Sequence, residues 1–301
     1  MTNKFNVFVL KNLKRFKDSK YGSKIYCKLI PQKVFLTKWN GFKCYLDGRD
    51  EGVSPFIYFV KSFETSVIRV LEKEIKNGMT VVDIGANIGI MTLVMARAVG
   101  EKGKVYAFEP EPHNFEILKK NVEINNFKNV ILINKAVSDT NGINLLKLDS
   151  KNYGAHSLHS KVIPHYNGKK IKIKTVTLDT FFKNKNIDLL KIDVQGGEGN
   201  VFKGAKNILK RNIKIIMEFW AEGIRLTHND PLKLLKELKR NGFFINFIKK
   251  DYYVHSYPEQ VIKACKRVII PSFLNKNVTG EVNLFLRKTK GNEKDILIKD
   301  P

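Results

Sequence analysis

The most constraining feature of this sequence is a short apolar run that ends in an acid and meets a glycine-rich turn. Residues 79–84 form the run, Asp83 is the acid, and Gly85 and Gly89 lie in the turn that opens an apolar segment. Glycines let a backbone turn tightly and approach a neighbouring group closely. The pattern predicts a buried parallel strand that passes into a helix beside a ligand crevice.

Strand-like and helix-like segments alternate after this turn, which predicts an α/β domain with a mostly parallel sheet. Helical patterns occupy residues 63–76, 88–99, 112–125, 197–210 and 231–240. Strand patterns occupy residues 33–39, 42–46, 79–84, 104–108, 130–134, 187–194, 213–219, 243–249 and 282–287. The last two strands predict an antiparallel pair at the C-terminal end of the sheet.

Composition and the positions of turn-forming residues divide the chain into three predicted parts. Residues 1–60 lack the alternation and form a basic N-terminal cap or subdomain, residues 61–290 form the main domain, and residues 291–301 form a frayed tail. An insertion at residues 138–178 interrupts the main domain. Because long insertions in such domains are often functional, we expect a lid over the ligand site.

The insertion carries its own local signals. Asn141-Gly142 is typical of a β-hairpin turn, and residues 170–174 alternate lysine with isoleucine as a half-exposed strand does. A polar loop at residues 152–159 lies between them and contains His156, Ser157 and His159. These three side chains are candidates for contact with a substrate.

The chain is strongly basic, with a net charge of +25, and its first fifty residues hold 12 Lys/Arg against 3 Asp/Glu. This charge favours partners such as an anionic membrane surface, an acidic glycan or nucleic acid, although solvated lysines would also account for it. Three scattered cysteines lack metal-ligand spacing, so we predict no metal site. With no apolar run of about 20 residues, we expect a cytoplasmic protein with peripheral contact at the inner membrane surface as an option.

The spacing of the turn discriminates between ligands. Asp83-x-Gly85-x-x-x-Gly89 lacks the middle glycine of a dinucleotide fingerprint and the Gly-Lys-Ser/Thr of a phosphate loop. An acid before the turn disfavours a pyrophosphate and favours a cation, which points to S-adenosylmethionine. Asp83 could attract its cationic end and Asn87 could contact its carboxylate, although a turn without a ligand remains an alternative.

Acids at the ends of later strands add to this interpretation. Glu109 is placed to accept hydrogen bonds from both ribose hydroxyls, although NAD enzymes share that geometry and a helix N-terminus also favours an acid. Asp193 ends another strand and would lie beside the transferred methyl group as base or as orienter of the acceptor. Glu198 and Glu218 are further substrate candidates, with helix-dipole compensation and packing as the alternatives.

Five motifs in chain order resemble the FkbM family of S-adenosylmethionine-dependent methyltransferases; they lie at residues 83–89, 108–110, 134–139, 177–179 and 191–194. The resemblance implies a class I methyltransferase (Rossmann-like) fold, with Asp83, Gly85 and Gly89 at the methionine end and Glu109 on the ribose. It also implies that the turn containing Lys135 and Ala136 lies near adenine.

The resemblance to this family also concerns Glu64 and Gln195. Phe63-Glu64 is similar to an aromatic-acid pair before the first strand of the fold, so the resemblance implies that Glu64 helps to close the site. Gln195 stands where family members usually carry glutamate. Because Gln195 carries no charge and cannot act as a base, its role would be a hydrogen bond to the acceptor.

The sequence thus predicts O-methylation of a hydroxyl on a sugar, glycan, lipid or other small acceptor. Asp193 is the first candidate for the general base, and His156 or His159 the second. An RNA ribose 2′-O-methyltransferase and a non-catalytic cofactor-binding module remain the alternatives.

Overall fold

The computed structural model describes residues 29–249, 253–267 and 280–288. Its strands are β1 Val34–Trp39, β2 Phe42–Asp47, β3 Thr80–Ile84, β4 Lys104–Phe108, β5 Val130–Ile133, β6 Ala136–Val137, β7 Gly142–Asp149, β8 Tyr166–Val176, β9 Leu189–Ile192, β10 Lys214–Phe219, β11 Phe244–Ile248, β12 Tyr253–His255 and β13 Val282–Arg287. Its α-helices are α1 Thr65–Glu74, α2 Ile90–Val99, α3 Pro112–Ile124, α4 Leu178–Phe181, α5 Glu198–Lys203, α6 Ala221–Leu226, α7 Pro231–Arg240 and α8 Pro258–Arg267.

Eight strands form the central sheet in the order β12-β11-β13-β10-β9-β3-β4-β5. The neighbours from β10 to β5 pair in parallel, whereas β13 is antiparallel to both β10 and β11. This topology confirms the predicted class I methyltransferase sheet with antiparallel strands near its C-terminal end. The strand order reverses between β3 and β9, and a crevice opens at the carboxyl ends of strands at such a point.

The sheet is buried by helices on both faces, as a parallel sheet requires. All four residues of β9 are buried, and so are the last four of β3. Two apolar clusters form the two sides of the core, one including Phe108 and Phe219 and the other including Leu71 and Leu93. The rigid sheet fixes the positions of the side chains that follow β3, β4 and β9.

The hairpin of β1 and β2 packs against α3. The Asn121 side chain accepts a hydrogen bond from the Tyr45 N–H at 2.6 Å and donates to the carbonyls of Tyr45 at 3.1 Å and Ile88 at 2.7 Å. Trp39 and Phe42 join the core beside α2 and α3. The two strands agree with the sequence pattern; residues 1–28 of the predicted basic cap and the predicted tail at 291–301 lie outside the described residues.

The insertion forms a small sheet in the order β6-β8-β7. The hairpin interpretation of Asn141-Gly142 is therefore wrong, because β6 and β7 both pair with β8 and not with each other. Asn141 instead accepts a hydrogen bond from the Thr177 N–H at 2.9 Å, which ties the link between β6 and β7 to the end of β8. The true hairpin joins β7 to β8 through the loop at 150–165.

The predicted helix at 197–210 is also corrected. It is divided into α5 and a short 3-10 turn at Ile208–Lys210. Gly204 lies so close to the insertion that a Cβ there would be 2.2 Å from the Ser138 carbonyl oxygen. The Asp179 carboxylate accepts the N–H groups of Asn207 and Ile208, at about 2.9 to 3.0 Å, and begins the second piece.

Candidate active site

A cavity of about 750 Å³ lies at the carboxyl ends of β3, β4 and β9, a volume within the range of small-molecule sites. Its wall includes most of the residues that the sequence singles out: Glu64, Gly85, Asn87, Glu109, Lys135, Ala136, His156, Ser157, Asp193, Gln195 and Glu218. Asp83, Gly89 and Glu198 do not reach the wall. They lie behind it and support residues that do.

The glycine turn brings the backbone close to the strand beside it. Gly85 has φ +79°, and a Cβ at this position would be 1.8 Å from the carbonyl oxygen of Asp193. Gly89 has φ +91° and starts α2, where a Cβ would be 2.5 Å from the Leu118 side chain. Glycine at position 85 therefore lets the ends of β3 and β9 meet at the floor of the cavity, and glycine at position 89 lets α2 begin close to α3.

Glu109 is held by backbone N–H groups. Its carboxylate accepts hydrogen bonds from Asn87 N at 2.8 Å and Glu111 N at 2.9 Å, one on each oxygen. Burial raises the pKa of Glu109 to about 8, although these two N–H groups oppose the shift. In the ionised form each oxygen keeps a second lone pair, so the carboxylate can then accept two hydroxyl groups from the cavity.

Lys191 links the acids of β3 and β9. Its Nζ lies 3.2 Å from Asp193 Oδ2 and 3.7 Å from Asp83 Oδ1. Burial by itself would lower the pKa of Lys191, but the carboxylates of Asp193, Asp83 and Glu64 outweigh it and raise the pKa. The lysine is therefore charged, and it holds the Asp193 carboxylate in place.

Asp83 is completely buried between Lys191 and α2. Its Oδ2 accepts a hydrogen bond from Thr92 Oγ1 at 2.6 Å, and burial raises its pKa. Asp83 thus joins the glycine turn to β9 from behind the wall, without contact to the cavity.

Gln195 connects two cavity acids. Its Nε2 donates hydrogen bonds to Asp193 Oδ1 at 2.8 Å and to Glu218 Oε2 at 3.0 Å. Burial raises the pKa of Glu218 well above its usual value, and the charges of Asp193 and Glu281 add to the shift. Glu281 lines the cavity and is hydrogen-bonded to Glu218. A neutral amide therefore holds a set of carboxyl groups together.

Glu64 and Glu198 flank this set. Glu64 precedes α1 with φ +40°, and burial raises its pKa to about 7. Glu198 Oε1 accepts from the N–H groups of Val194 and Gly196, both at 3.3 Å, and burial raises its pKa to about 7. Glu198 shapes the backbone around Gln195, whereas Glu64 faces the cavity directly.

The insertion loop covers the cavity with His156 and Ser157. His156 Nδ1 accepts a hydrogen bond from the Asp149 N–H at 3.0 Å, and burial lowers the pKa of His156. The neutral ring therefore carries its proton on Nε2, which makes His156 a donor in this geometry. Ser157 Oγ donates to the Gln195 carbonyl at 3.2 Å, whereas His159 is turned toward Asn200 and lies outside the wall.

Asp50 joins the loop after β2 to the insertion loop. Its carboxylate accepts the N–H groups of Gly52, Val53 and Ser54 at 2.8 to 2.9 Å, and of Tyr153 at 3.0 Å. Residues 51–56 and 151–158 both contribute to the wall. The buried Asp50 thus holds together the two segments that cover the site.

Sequence reasoning assigned no role to Lys191, Asn114 and Glu281, which also line the site. A lysine inside the apolar strand β9 was a detectable signal, because a charge there requires acidic partners. Asn114 resembled an ordinary residue of a helical first turn. Glu281 precedes β13 without a motif around it, so only the sheet order brings it to the cavity.

The wall suits the predicted cofactor, whose groups are a ribose diol, an adenine, an ammonium, a carboxylate and a sulfonium. Glu109 offers two acceptor oxygens to a diol. Asn114 Oδ1, beside the same part of the wall, is buried and accepts no hydrogen bond from the part of the chain that the structure describes. Glu64 and Asp193 offer negative charge to the cationic groups. Donor and acceptor types therefore fit S-adenosylmethionine.

Known proteins that are similar to this chain include methyltransferases. The model of the Methyltransferase FkbM domain matches residues 83–245. The hexuronic acid methyltransferase AglP of Haloferax volcanii is 29% identical over 179 residues, which cover 58% of this chain and 69% of AglP. The protein-L-isoaspartate O-methyltransferase of Methanococcoides burtonii is 36% identical over 112 residues, covering 35% of this chain and 51% of that enzyme.

A solved SAM-dependent O-methyltransferase from Thermotoga maritima is 15% identical, covers 87% of this chain and 80% of its own, and has a TM-score of 0.42. Within the described ranges, no helix has the length and apolar character needed to cross a membrane. The family match spans more than half of the 301 residues. The chain therefore belongs to the FkbM family of methyltransferases, and its cofactor is S-adenosylmethionine.

Proposed function

We propose that this methyltransferase transfers its methyl group to a hydroxyl of a sugar or glycan, with Asp193 as the general base. The observation that carries the proposal is the position of Asp193. Asp193 follows β9 where the strand order reverses and lines the cavity, and its backbone carbonyl lies against the glycine turn. An acceptor hydroxyl in the cavity would meet the Asp193 carboxylate beside the cofactor.

The residues of the site act mainly by positioning. S-adenosylmethionine, when bound, supplies an activated methyl group, so the protein must align an acceptor oxygen with it. Such alignment can contribute roughly 7–11 kcal/mol in favourable cases. Glu109 and Asn114 would hold the nucleoside part, Gly85 would allow close backbone contact, and Glu64 would favour the cationic end.

Asp193 keeps room for a hydrogen bond from an acceptor hydroxyl. Lys191 lies at one of its oxygens and the Gln195 amide donates to the other. Each carboxylate oxygen has two lone pairs, so one on each remains for an acceptor hydroxyl. A correctly placed base contributes roughly 10²–10⁴-fold to such a transfer.

A sugar acceptor is favoured by the similarity to AglP, which is described as a hexuronic acid methyltransferase. Polar side chains of the roof and floor suit a polyol: Ser157, Gln195 and the Nε2 donor of His156 can each hydrogen-bond hydroxyl groups. The identity of 29% leaves the individual sugar open, so the proposal is limited to the class of acceptor.

The test is a transfer assay with methyl-labelled S-adenosylmethionine and separate acceptors: methyl hexosides, hexuronates, extracted glycans, extracted lipids, RNA and protein. We expect label in the sugar or glycan fractions that withstands mild alkali, because a methyl ether is stable where a methyl ester hydrolyses. Label confined to RNA or protein, or released by alkali, would contradict hydroxyl methylation of a sugar.

A further inference from the structure

The insertion sheet has one buried face and one lysine-rich face. In β7 and β8, the residues that point inward include Leu146 and Ile173, which are buried. The opposite face is formed by the cross-strand pairs Ile143–Lys174, Leu145–Lys172 and Lys147–Lys170. We call this set of six residues the lysine face.

Among the residues that the structure describes, no acid compensates the charge of the lysine face. None of its four lysines forms an ion pair with a carboxylate of residues 29–249, 253–267 or 280–288. Lys147 and Lys170 are directly opposite each other, and like charges in that position destabilise a sheet. Lys147 is half-buried and its Nζ donates a hydrogen bond to the Leu158 carbonyl, so the exposed lysines of the face are Lys170, Lys172 and Lys174.

The same face exposes aliphatic surface at one end. Ile143 is 74% exposed, although it lies within a β-strand, and its cross-strand partner is Lys174. Leu145 is half-buried next to it. Lysines whose stems lie along aliphatic side chains are typical of surfaces that meet the headgroup region of a bilayer.

We propose that the lysine face binds the surface of an anionic phospholipid bilayer. Uncompensated lysines on a flat sheet match a layer of negative headgroups, and Ile143 can enter the boundary between headgroups and acyl chains. Single-stranded nucleic acid fits the face less well, because its bases stack on aromatic side chains and the six residues include none.

Contact at this face would leave the active site intact. Leu146 of the inward face lines the cavity, whereas the lysine face is on the opposite side of the same sheet. Binding would therefore hold the enzyme at a membrane without covering Glu109 or Asp193. This inference does not depend on the proposed acceptor, and it can be tested without one.

The experiment measures partition of the full chain onto phosphatidylglycerol-containing vesicles and onto phosphatidylcholine vesicles, at about 0.1 M salt, where screening extends over about 10 Å. The test variant is Lys170→Gln, Lys172→Gln and Lys174→Gln combined. Each lysine near an anionic surface strengthens binding by roughly fivefold, so we expect the triple variant to partition roughly 100-fold more weakly. Phosphatidylcholine vesicles should bind neither protein.

A matched control removes the same number of charges elsewhere: Lys102→Gln, Lys104→Gln and Lys128→Gln. These exposed lysines lie near the amino ends of β4 and β5, at the sheet edge away from the cavity, and we expect their loss to change partition by less than about threefold. S-adenosylmethionine affinity and circular dichroism verify folding of both variants.

Three outcomes would overturn the proposal. The first is failure of the unmodified chain to bind phosphatidylglycerol vesicles, and the second is an equal loss of binding in both triple variants. The third is binding of a single-stranded RNA that requires Lys170, Lys172 and Lys174 while vesicles are not bound. Failure of methyl transfer to sugars would leave the vesicle result unaffected, so the two proposals are separable.

Discussion

At the scale of single residues, the site depends on how Asp193 is held. Lys191 approaches one carboxylate oxygen at 3.2 Å and Gln195 Nε2 approaches the other at 2.8 Å. Charge-assisted hydrogen bonds of this kind fix an orientation as well as a charge. The orientation leaves Asp193 facing the cavity, which is the geometry that a general base requires.

Asp193→Asn should therefore lower kcat by roughly 10²–10⁴-fold, with a much smaller loss of S-adenosylmethionine affinity, because the amide keeps the shape but cannot take a proton and carries no charge for the cationic groups of the cofactor. Transfer kinetics and calorimetric cofactor titration measure the two quantities. Asp139→Asn, at an exposed position of the insertion, is the control and should behave as the unmodified chain. A variant at position 193 with full turnover would remove Asp193 from the role of base.

Gln195→Glu should make transfer fall as pH rises, relative to transfer by the unmodified chain. Gln195 donates to both Asp193 and Glu218, and a glutamate can donate only while it is protonated. The buried neighbours of a glutamate at this position disfavour its ionisation, so it keeps its proton at low pH. At higher pH it loses that proton, and the carboxylates then repel one another.

A pH–rate profile measures this change, with Gln195→Ala as the comparison. The alanine variant lacks the donor at every pH, so we expect a uniform loss of activity for it. Parallel profiles of the two variants would show that the donor function of Gln195 is not what the site uses.

At the scale of secondary-structure elements, the parallel core was accessible from sequence. Apolar strands such as β3 and β9 alternate with periodic helices, and their boundaries are local signals. The structure of the insertion could not be predicted from sequence, because the pairing of β6 and β7 with β8 depends on contacts between residues distant in sequence. Asn141-Gly142 has the composition of a hairpin turn, but the strands on its two sides both pair with β8 and not with each other.

The site was predictable to the extent that its residues follow strands. Asp193 and Glu109 come directly after β9 and β4, and parallel strands bring their carboxyl ends together. Glu281 follows no such rule, because it reaches the cavity only through insertion of β13 between β10 and β11. The contact of Lys191 with two acids on neighbouring strands likewise depends on the pairing register of the sheet.

The attachment of the β1–β2 hairpin to α3 gives a prediction at this scale. Asn121→Ala leaves the Tyr45 N–H and carbonyl and the Ile88 carbonyl without a partner. A buried polar group left unsatisfied costs about 1–3 kcal/mol, so we expect the free energy of unfolding to fall by about 2–4 kcal/mol in urea denaturation.

Asn125→Ala is the matched control, because Asn125 makes equivalent hydrogen bonds to Lys43 nearer to solvent. Water can replace these bonds, so its cost should stay below about 1 kcal/mol. Equal losses in the two variants would show that burial of Asn121 is not the source of the stability.

At the scale of the whole molecule, charge is separated between surface and cavity. The chain carries a net charge of +25, yet the cavity collects Glu64, Glu109, Asp193 and Glu218. Where these acids are ionised, a negative cavity inside a positive protein attracts a cationic ligand to one place. The resulting pKa shifts make cofactor binding and stability depend on pH together.

Raised carboxyl pKa values predict that the ligand-free protein loses stability as pH rises from the ordinary carboxyl range toward the raised values, most clearly from about pH 6.5 to about pH 8, and that the loss levels off above about pH 8. Burial raises the pKa of Glu64 to about 7, of Glu198 to about 7 and of Glu109 to about 8. A group whose pKa is higher in the folded state stabilises that state at low pH, and this contribution is lost as pH rises through the folded value. The lowered pKa values of His156 and His159 act in the opposite direction below about pH 6.5, so the window lies above it.

Thermal unfolding at a series of pH values, with S-adenosylmethionine and with S-adenosylhomocysteine, tests the origin of this dependence. The first ligand carries a sulfonium charge that the second lacks, so ionised cavity acids should favour it increasingly as pH rises. We therefore expect the difference in Tm between the two complexes to grow from about pH 7 to about pH 8.5. A difference that stays constant or shrinks would show that the cavity acids do not interact with the sulfonium, and the raised pKa values would then reflect burial alone.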